Sequence, residues 1–237
     1  PGVMLSSAAK EYLKVYGVLV GRNPLIFTNN DSRYETAIEF KKNGVEPIIL
    51  DTRKNPQSEI VDEAKNLGIN IKFSHVVVAA QGYKKVKSAD IAKISDDKER
   101  LGNIENIKCD CICVSGFWTP TIHLASQSGN KSKFNEDIDA FVPGTSKQNE
   151  RTLGAANGVY TLGETLKNSL NTGYELSKQI TNNDNKVSFP NVVEKKSTVH
   201  DKFWCVPLPK GKHYKRFLDF QNDVAVSDVE IALQEGY

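Results

Sequence analysis

The stretch CDCICVSGFWTPTIHLASQSG, residues 109–129, decides how the rest of the chain is read. Its apolar run Cys111-Ile112-Cys113-Val114 has the length and composition of a strand buried on both faces, and it breaks sharply at Ser115-Gly116. After that turn come Phe117 and Trp118, then Thr119-Pro120, whose proline ends extended structure, then a short apolar helix-like piece closing in Ser128-Gly129. Cys109, Cys111 and Cys113 alternate along this strand, where neighbouring side chains point to opposite faces, and Cys205 lies far away in sequence. A C-x-C-x-C spacing invites a metal reading, but zinc and iron–sulfur sites usually place a cysteine pair on a turn with two intervening residues. Buried, reduced, structural thiols are therefore favoured, and no metal ligand is assigned.

Upstream, the chain supplies strands to lie beside this one. Residues 6–16 carry Ala8, Ala9, Tyr12, Leu13 and Tyr16 at helical spacing, and Gly17 follows where a helix would stop. Leu25-Ile26-Phe27-Thr28 reads as a short strand, and Asn29-Asn30-Asp31-Ser32 as a tight turn in which Asp31 or Ser32 caps the next helix. That helix turns Tyr34, Ala37, Ile38 and Phe40 inward, ends at Asn43-Gly44, and leads to a strand over 45–50 closed by Asp51. Strand, turn, helix and strand with a terminal acid form the skeleton of a dinucleotide-binding unit, with Thr28, Asn30 and Asp51 as cofactor candidates and Asp51 as ribose acceptor. The glycine fingerprint of such a unit is absent. Asp31 would place a negative charge close to the phosphates, and a unit kept only for its shape is the competing reading.

A second unit follows: residues 58–67 form an amphipathic pattern (Ile60, Val61, Ala64, Leu67) stopped by Gly68, and 70–73 reads as a strand. Then VVVAAQ, YKKVKSADIAKI and, after the polar turn DDKERLGNIEN, IKCDCICVSG look like antiparallel strands. Flavin-dependent disulfide reductases place such a β-meander between the βαβ units of their inner nucleotide domain and its last parallel strand, and the order here is the same.

Downstream, 134–142 is short and partly extended, and 144–150 is a polar loop. Leu153-Gly154-Ala155-Ala156-Asn157-Gly158 crowds small residues into a turn that opens a helix over about 161–180. Small residues there mean close approach, either of helix and strand or of a helix N-terminus and the pyrophosphate or ribose of a dinucleotide. The segment 182–186 reads as a polar hinge. Beyond it, Phe189-Pro190 and Val206-Pro207-Leu208-Pro209 read as extended chain, and Ser227 or Asp228 caps a final helix holding Val229, Ile231, Ala232 and Leu233 before Gly236. The expected architecture is α/β: a Rossmann-like inner nucleotide domain with β-meander (1–133), the returning part of an outer dinucleotide domain (134–181), and an extended linker with a small helical tail (182–237).

Composition fits this. Of 237 residues, 39% are hydrophobic and 25% charged, an ordinary balance for a globular chain with an adequate core. The 31 basic and 29 acidic residues are interspersed, so no stripe of one sign argues for nucleic acid or an anionic membrane. No apolar run approaches the roughly 20 residues of a membrane span and no secretory leader is evident, so a cytoplasmic protein is the simplest reading. The chain begins at Pro1 without methionine and stops at Tyr237 directly after a helix-like pattern, as an internal piece of a longer protein would.

FTNNDSRYETA, CDCICVSGFWTPTIHLASQSG, GAANGVYTL and FLDFQNDVAVSDVEIALQEGY together, in that order, resemble the α subunit of heterotetrameric sarcosine oxidase. The resemblance covers nearly the whole chain. It implies a complex whose smaller catalytic subunit binds FAD and oxidises sarcosine, with FMN relaying electrons to oxygen and products glycine, hydrogen peroxide and methylene-tetrahydrofolate. It further implies an α subunit similar to a two-nucleotide-domain reductase, carrying NAD, contacting β, γ and δ subunits, and continuing into a tetrahydrofolate-binding domain. On this resemblance no catalytic residue lies in the chain, which alone would not turn over sarcosine and would bind NAD weakly or not at all. Gly154, Ala155, Ala156 and Asn157 fall where reductases have the Gly-Asp that meets the dinucleotide, with the acid missing. Ser115, Gly116, Thr119 and Pro120 fall where such proteins write Thr-Gly followed by proline beside the cofactor, and Phe117 replaces a second glycine. Phe220-Gln221-Asn222-Asp223 stands where related dehydrogenase subunits carry paired cysteines for [2Fe–2S], so no iron–sulfur cluster is expected.

Trp118 stacks on a cofactor ring or fills a domain crevice. His123 lacks a partnered carboxylate or nucleophile, and His75, His200 and His213 read as solvated or structural. Two functional classes remain: an oxidoreductase subunit that binds a dinucleotide, of sarcosine oxidase or a related amine or imino-acid dehydrogenase, and a non-catalytic scaffold built on a degenerate nucleotide fold.

Overall fold

A computed structural model describes residues 1–181, 191, 201–212, 214–219 and 221–237. The chain separates into two compact units, Pro1–Ser115 with Phe203–Tyr237, and Gly116–Lys202.

The first unit is built on a five-stranded parallel sheet. Its elements in chain order are β1 (Val3–Leu5), α1 (Ser6–Tyr16), β2 (Pro24–Thr28), a 3₁₀ turn (Asp31–Arg33), α2 (Tyr34–Lys42), β3 (Ile48–Asp51), α3 (Glu59–Asn66), β4 (Asn70–Phe73), β5 (His75–Gln81), β6 (Ser88–Ile94), β7 (Leu101–Lys108) and β8 (Cys111–Val114). The sheet order is β1-β8-β2-β3-β4, with every neighbouring pair parallel. The strand at 111–114 therefore lies inside the sheet between β1 and β2, as its unbroken apolar run demands. Period-two alternation sends Ile26, Ile49, Cys111 and Cys113 to one face, where they meet Ala9, Leu13, Tyr34, Phe40 and Val61 of α1, α2 and α3. Leu25, Leu50 and Ile112 face the other way and meet Val86, Ala89, Ile91 and Cys109 of the meander. Cys109 lies across the sheet from Cys111 and Cys113 because it precedes the strand.

Three local expectations need correction. The polar stretch expected as a turn contributes most of β7, while Cys111–Val114 follows the meander β5-β6-β7 as a parallel strand, as its apolar run led one to expect. β7 forms despite its polarity because its side chains pair across the ladder: Asn106 Nδ2 donates to Ser88 Oγ at 3.1 Å and to Asp90 Oδ1 at 2.7 Å. β3 starts at Ile48 rather than at 45, since Pro47 has no N–H for a ladder and Val45 N–H closes the end of α2 on the Phe40 carbonyl at 3.0 Å. Asn30 caps the 3₁₀ turn that leads into α2, its side chain accepting from Ser32 N–H at 3.0 Å, while α2 itself starts after Arg33 without a side-chain cap, so neither Asp31 nor Ser32 caps it.

The second unit holds α4 (His123–Gln127), β9 (Lys133–Asn135), β10 (Ala140–Val142), a 3₁₀ turn (Gly154–Asn157) and α5 (Leu162–Thr181). β9 and β10 form an antiparallel hairpin with Phe134 and Phe141 edge to face, centroids 5.3 Å apart. The unit begins at Gly116, inside the turn at 115–120, so residues 116–133 group with the hairpin. Asn130 and Gly144 hydrogen-bond each other, and Pro120 lies beside Gly158, which ties that segment down. The expected hinge at 182–186, Phe189-Pro190, His200, His213 and Phe220 lie outside the described residues.

In the tail, β11 (Phe217–Asp219) pairs antiparallel with β12 (Val224–Ala225) and leads into α6 (Val226–Glu235). Ser227 and Asp228 sit within α6 rather than capping it. Asp228 instead reaches back from the first turn to accept from Ala225 N–H at 2.7 Å.

Candidate functional site

The ends of β2, β3 and β8 carry a cluster of buried polar residues, at the carboxyl edge where open α/β sheets bind ligands. The structure brings four predicted cofactor residues together here. Thr28 Oγ1 donates to the Asn30 carbonyl at 2.9 Å, and Asn30 Nδ2 reaches Ser115 Oγ at 3.4 Å. Ser115 N–H holds the Phe27 carbonyl at 2.8 Å, and Thr52 N–H holds the Thr28 carbonyl at 3.1 Å, so β8 and the end of β3 are laced to β2.

Asp51 is occupied from within the protein. It is fully buried, and Tyr34 Oη donates to Oδ2 at 2.7 Å. Arg53 grips it as a fork, Nε to Oδ1 at 3.0 Å and Nη2 to Oδ2 at 2.8 Å, while Arg53 N–H adds a bond to Oδ1 at 2.9 Å. Arg53 Nη2 also pairs with Asp31 Oδ1 at 2.6 Å. Burial alone would lower the guanidinium's pKa, but the Asp51 hydrogen bond and charge, with Asp31, raise it above the ordinary value. Arg53 and the Tyr34 hydroxyl were not among the sequence candidates: Tyr34 reads as a core aromatic, and Arg53 lies between β3 and α3. The available signal was an arginine two residues after a strand-ending acid.

Burial, then the charge and hydrogen bond of Asp51, push the Tyr34 phenol above its ordinary 10.0. A raised folded-state value stabilises the fold below the unfolded value, and that stabilisation is lost as pH climbs past it. Tyr34→Phe is expected to lower stability at pH 7 by about 1.5–3 kcal/mol, the range for a hydrogen bond to a charged group. Between pH 10 and 11 the parent should lose about 1 kcal/mol more than the variant. Parallel pH profiles in urea unfolding would contradict this origin of the alkaline limb.

The thiols of Cys109, Cys111 and Cys113 are buried and form no disulfide. Cys111 and Cys113 share a face with sulfurs 3.7 Å apart, and their mutual contact together with burial raises the Cys113 thiol's pKa. Burial, with the Asp110 charge, pushes Cys109 up to about 11. The contact with Cys113 shifts the Cys111 thiol the other way, below its ordinary value, so only Cys109 and Cys113 are held protonated; among the described residues no group of His, Cys, Asp and Glu is placed to hold a metal ion. No helix of the described residues is long and apolar enough to cross a membrane.

The other candidates lie in the second unit. Trp118 stands against Tyr160 with centroids 6.1 Å apart, and Tyr160 Oη donates to the Trp118 carbonyl at 2.9 Å. Pro120 is buried, whereas Gly116 and Thr119 are exposed. The Gly154–Asn157 turn is shaped by packing at both ends. Gly154 has φ +64° with Thr165 Cγ2 3.1 Å from where a Cβ would sit, and at Gly158 that position is 2.6 Å from Ile138 Cδ1. Ala155 and Asn157 stay exposed, and Ala156 is half-buried. Asn157 borders a polar cavity of about 370 Å³ whose walls include Asn130, Ser146, Glu150 and Arg151. Sequence reading reached this cavity only through Asn157, because residues 144–150 carry no pattern beyond polarity.

A parallel sheet with helices on one face and an antiparallel meander on the other, followed by a hairpin and a long helix, is the fold of two-dinucleotide-domain flavoprotein reductases. An HOCl-induced flavoprotein disulfide reductase from Escherichia coli superposes with a TM-score of 0.52 at 15% identity, over 76% of this chain and 39% of that one. No protein-family model matches the chain. Its sequence is similar, over its whole length, to sarcosine oxidase subunit alpha: 32% identical over 244 residues to that of Rhizobium meliloti (strain 1021) and 27% over 242 residues to that of Corynebacterium sp. (strain P-1). The chain spans about a quarter of the length of these curated relatives, 23% and 25% respectively.

Proposed function

We infer that this chain serves as part of the α subunit of a sarcosine oxidase complex, converting sarcosine, tetrahydrofolate and oxygen to glycine, methylene-tetrahydrofolate and hydrogen peroxide. Its own share is dinucleotide binding, with NAD as ligand, and subunit contacts. FAD, FMN and the amine chemistry belong to other parts of the complex, and tetrahydrofolate to another domain. The single observation that carries this reading is the whole-length similarity to sarcosine oxidase subunit alpha, on a fold of the flavoprotein reductase class.

The two units fit a dinucleotide unequally. In the first, the turn after β2 lacks glycine, and Arg53 grips both Asp51, the acid that would meet ribose, and Asp31, the acid that would face the phosphates. The Thr28, Asn30 and Asp51 candidates are thus better suited to a scaffold, which is the second reading and is favoured by this cluster. In the second, Asn157 and the polar cavity offer hydrogen-bonding groups to a nucleoside. Leu162, Leu166 and Leu170 recur every fourth residue along α5 and are exposed, which suits contact with further protein.

Calorimetric titration of NAD into the full natural polypeptide carrying this chain is expected to give one site with a dissociation constant in the micromolar range or tighter. Absence of binding there would remove NAD from the proposal and leave the scaffold. Sarcosine-dependent peroxide production by residues 1–237 alone would place amine chemistry where this reading denies it.

A further inference from the structure

The cavity beside Asn157, at about 370 Å³, lies near the lower end of small-molecule sites, roughly 300–1,000 Å³, which suits a nucleoside better than a whole dinucleotide. Glu150 is the acidic residue in its lining. Ser146 Oγ donates to Glu150 Oε1 at 2.9 Å, and hydrogen bonds from Ser128, Ser146 and Asn130 hold the carboxyl below its ordinary range, ionised at neutral pH. The wall is fixed as well. Gly144 N–H donates to Asn130 Oδ1 at 2.8 Å, and Asn130 Nδ2 donates back to the Gly144 carbonyl at 3.4 Å.

Asn157 stands where the resemblance to reductases calls for an acid, and it brings an amide in place of the charge. We propose that Glu150, four residues ahead of Gly154, supplies the missing carboxylate and, with Asn157, binds the vicinal hydroxyls of a ribose in this cavity. A vicinal diol offers two O–H donors to two carboxylate oxygens, a charge-assisted arrangement stronger than an amide can provide. The same charge repels a phosphate on the 2′-hydroxyl. The ribose placed here is the adenosine one, so the ligand class is a dinucleotide whose adenosine ribose has both hydroxyls free, as in NAD, and NADP, phosphorylated at that position, is disfavoured.

This rests on the reading that the second unit takes a dinucleotide, and the test separates the two. NAD and NADP are titrated calorimetrically into the full natural polypeptide and into its Glu150→Gln variant, whose folding is checked by circular dichroism. The parent is expected to bind NAD at least about tenfold more tightly than NADP, and Glu150→Gln to weaken NAD about tenfold while narrowing the gap to NADP. Equal NAD affinity in parent and variant would overturn the role of Glu150 while leaving NAD binding intact. Tighter binding of NADP than NAD would overturn it in favour of a phosphate on Arg151, and no binding of NAD to the parent would overturn both.

Discussion

Replacing Arg53 with alanine is expected to lower the free energy of unfolding by about 3–5 kcal/mol, the range for breaking a buried ion pair by removing one partner. The Arg53 side chain is 12% exposed, and those of Asp51 and Asp31 are 0% and 10% exposed. Two carboxylates face one guanidinium, so its loss leaves two buried negative charges close together, with the Tyr34 hydroxyl and the residue 53 N–H as the remaining donors to Asp51. Arg53→Lys should lose part of this amount, because an ammonium cannot reproduce the fork that spans both Asp51 oxygens. Pairing Arg53→Met with Asp51→Asn and Asp31→Asn should recover much of the loss, since the penalty arises from uncompensated charge rather than from missing attraction. Urea unfolding with an unchanged m-value reads the effect directly. An Arg53→Ala protein within about 0.5 kcal/mol of the parent would place it among ordinary surface changes and remove the cluster from any account of the first unit.

The same cluster marks where sequence reading stops. The parallel sheet was legible because Leu25-Ile26-Phe27 and Cys111-Ile112-Cys113 are unbroken apolar runs, and only a strand covered on both faces uses such runs. The helices were legible because Ala37, Ile38 and Phe40, and then Val61 and Ala64, recur at helical spacing ahead of glycines with positive φ, Gly44 and Gly68. β7 was not, since its polar side chains satisfy one another across the ladder and leave no hydrophobic alternation to detect. The choice of Asn30 over Asp31 as cap was also hidden. Both residue types cap helices, and what decides between them is Arg53, about twenty residues further on, which draws Asp31 into an ion pair.

A turn at the end of β2 is readable from its own residues, but whether it receives a ligand depends on which distant side chain occupies it. At Asp51 the strand-ending acid of a dinucleotide-binding unit is present and its position is right. Its hydrogen-bonding capacity is nevertheless taken up by Tyr34 and Arg53, which offer a ribose no free carboxylate oxygen of the usual kind. Glu150 is held by neutral donors, Ser128, Ser146 and Asn130, rather than by a guanidinium fork. It sits in a loop without periodicity, and it becomes a candidate only once Asn130, Ser146 and Asn157 are seen around one cavity.

Gly144→Ala is expected to cost about 3 kcal/mol and to weaken NAD binding by more than tenfold in the full natural polypeptide, the upper part of the range for forcing extra volume into a packed site. A Cβ at this position would lie 2.1 Å from the Lys131 carbonyl oxygen and 3.3 Å from its carbon. Both are backbone atoms, so no rotamer change relieves the clash and the segments at 131 and 144 must part. Parting them breaks the reciprocal Asn130–Gly144 hydrogen bonds, each contributing about 1 kcal/mol, and releases Asn130 from the cavity wall. Ser146 follows Gly144 by two residues, so the support it gives Glu150 shifts with it. The loss of stability should therefore be accompanied by a loss of affinity, whereas Gly17→Ala, at a helix end where a Cβ meets nothing within 4 Å, should cost only the strain of its φ of +65° and leave affinity unchanged. Comparable stability losses in both variants with no difference in NAD affinity would show that the cavity wall does not depend on the approach of residues 131 and 144, and would count against the cavity as the nucleoside site.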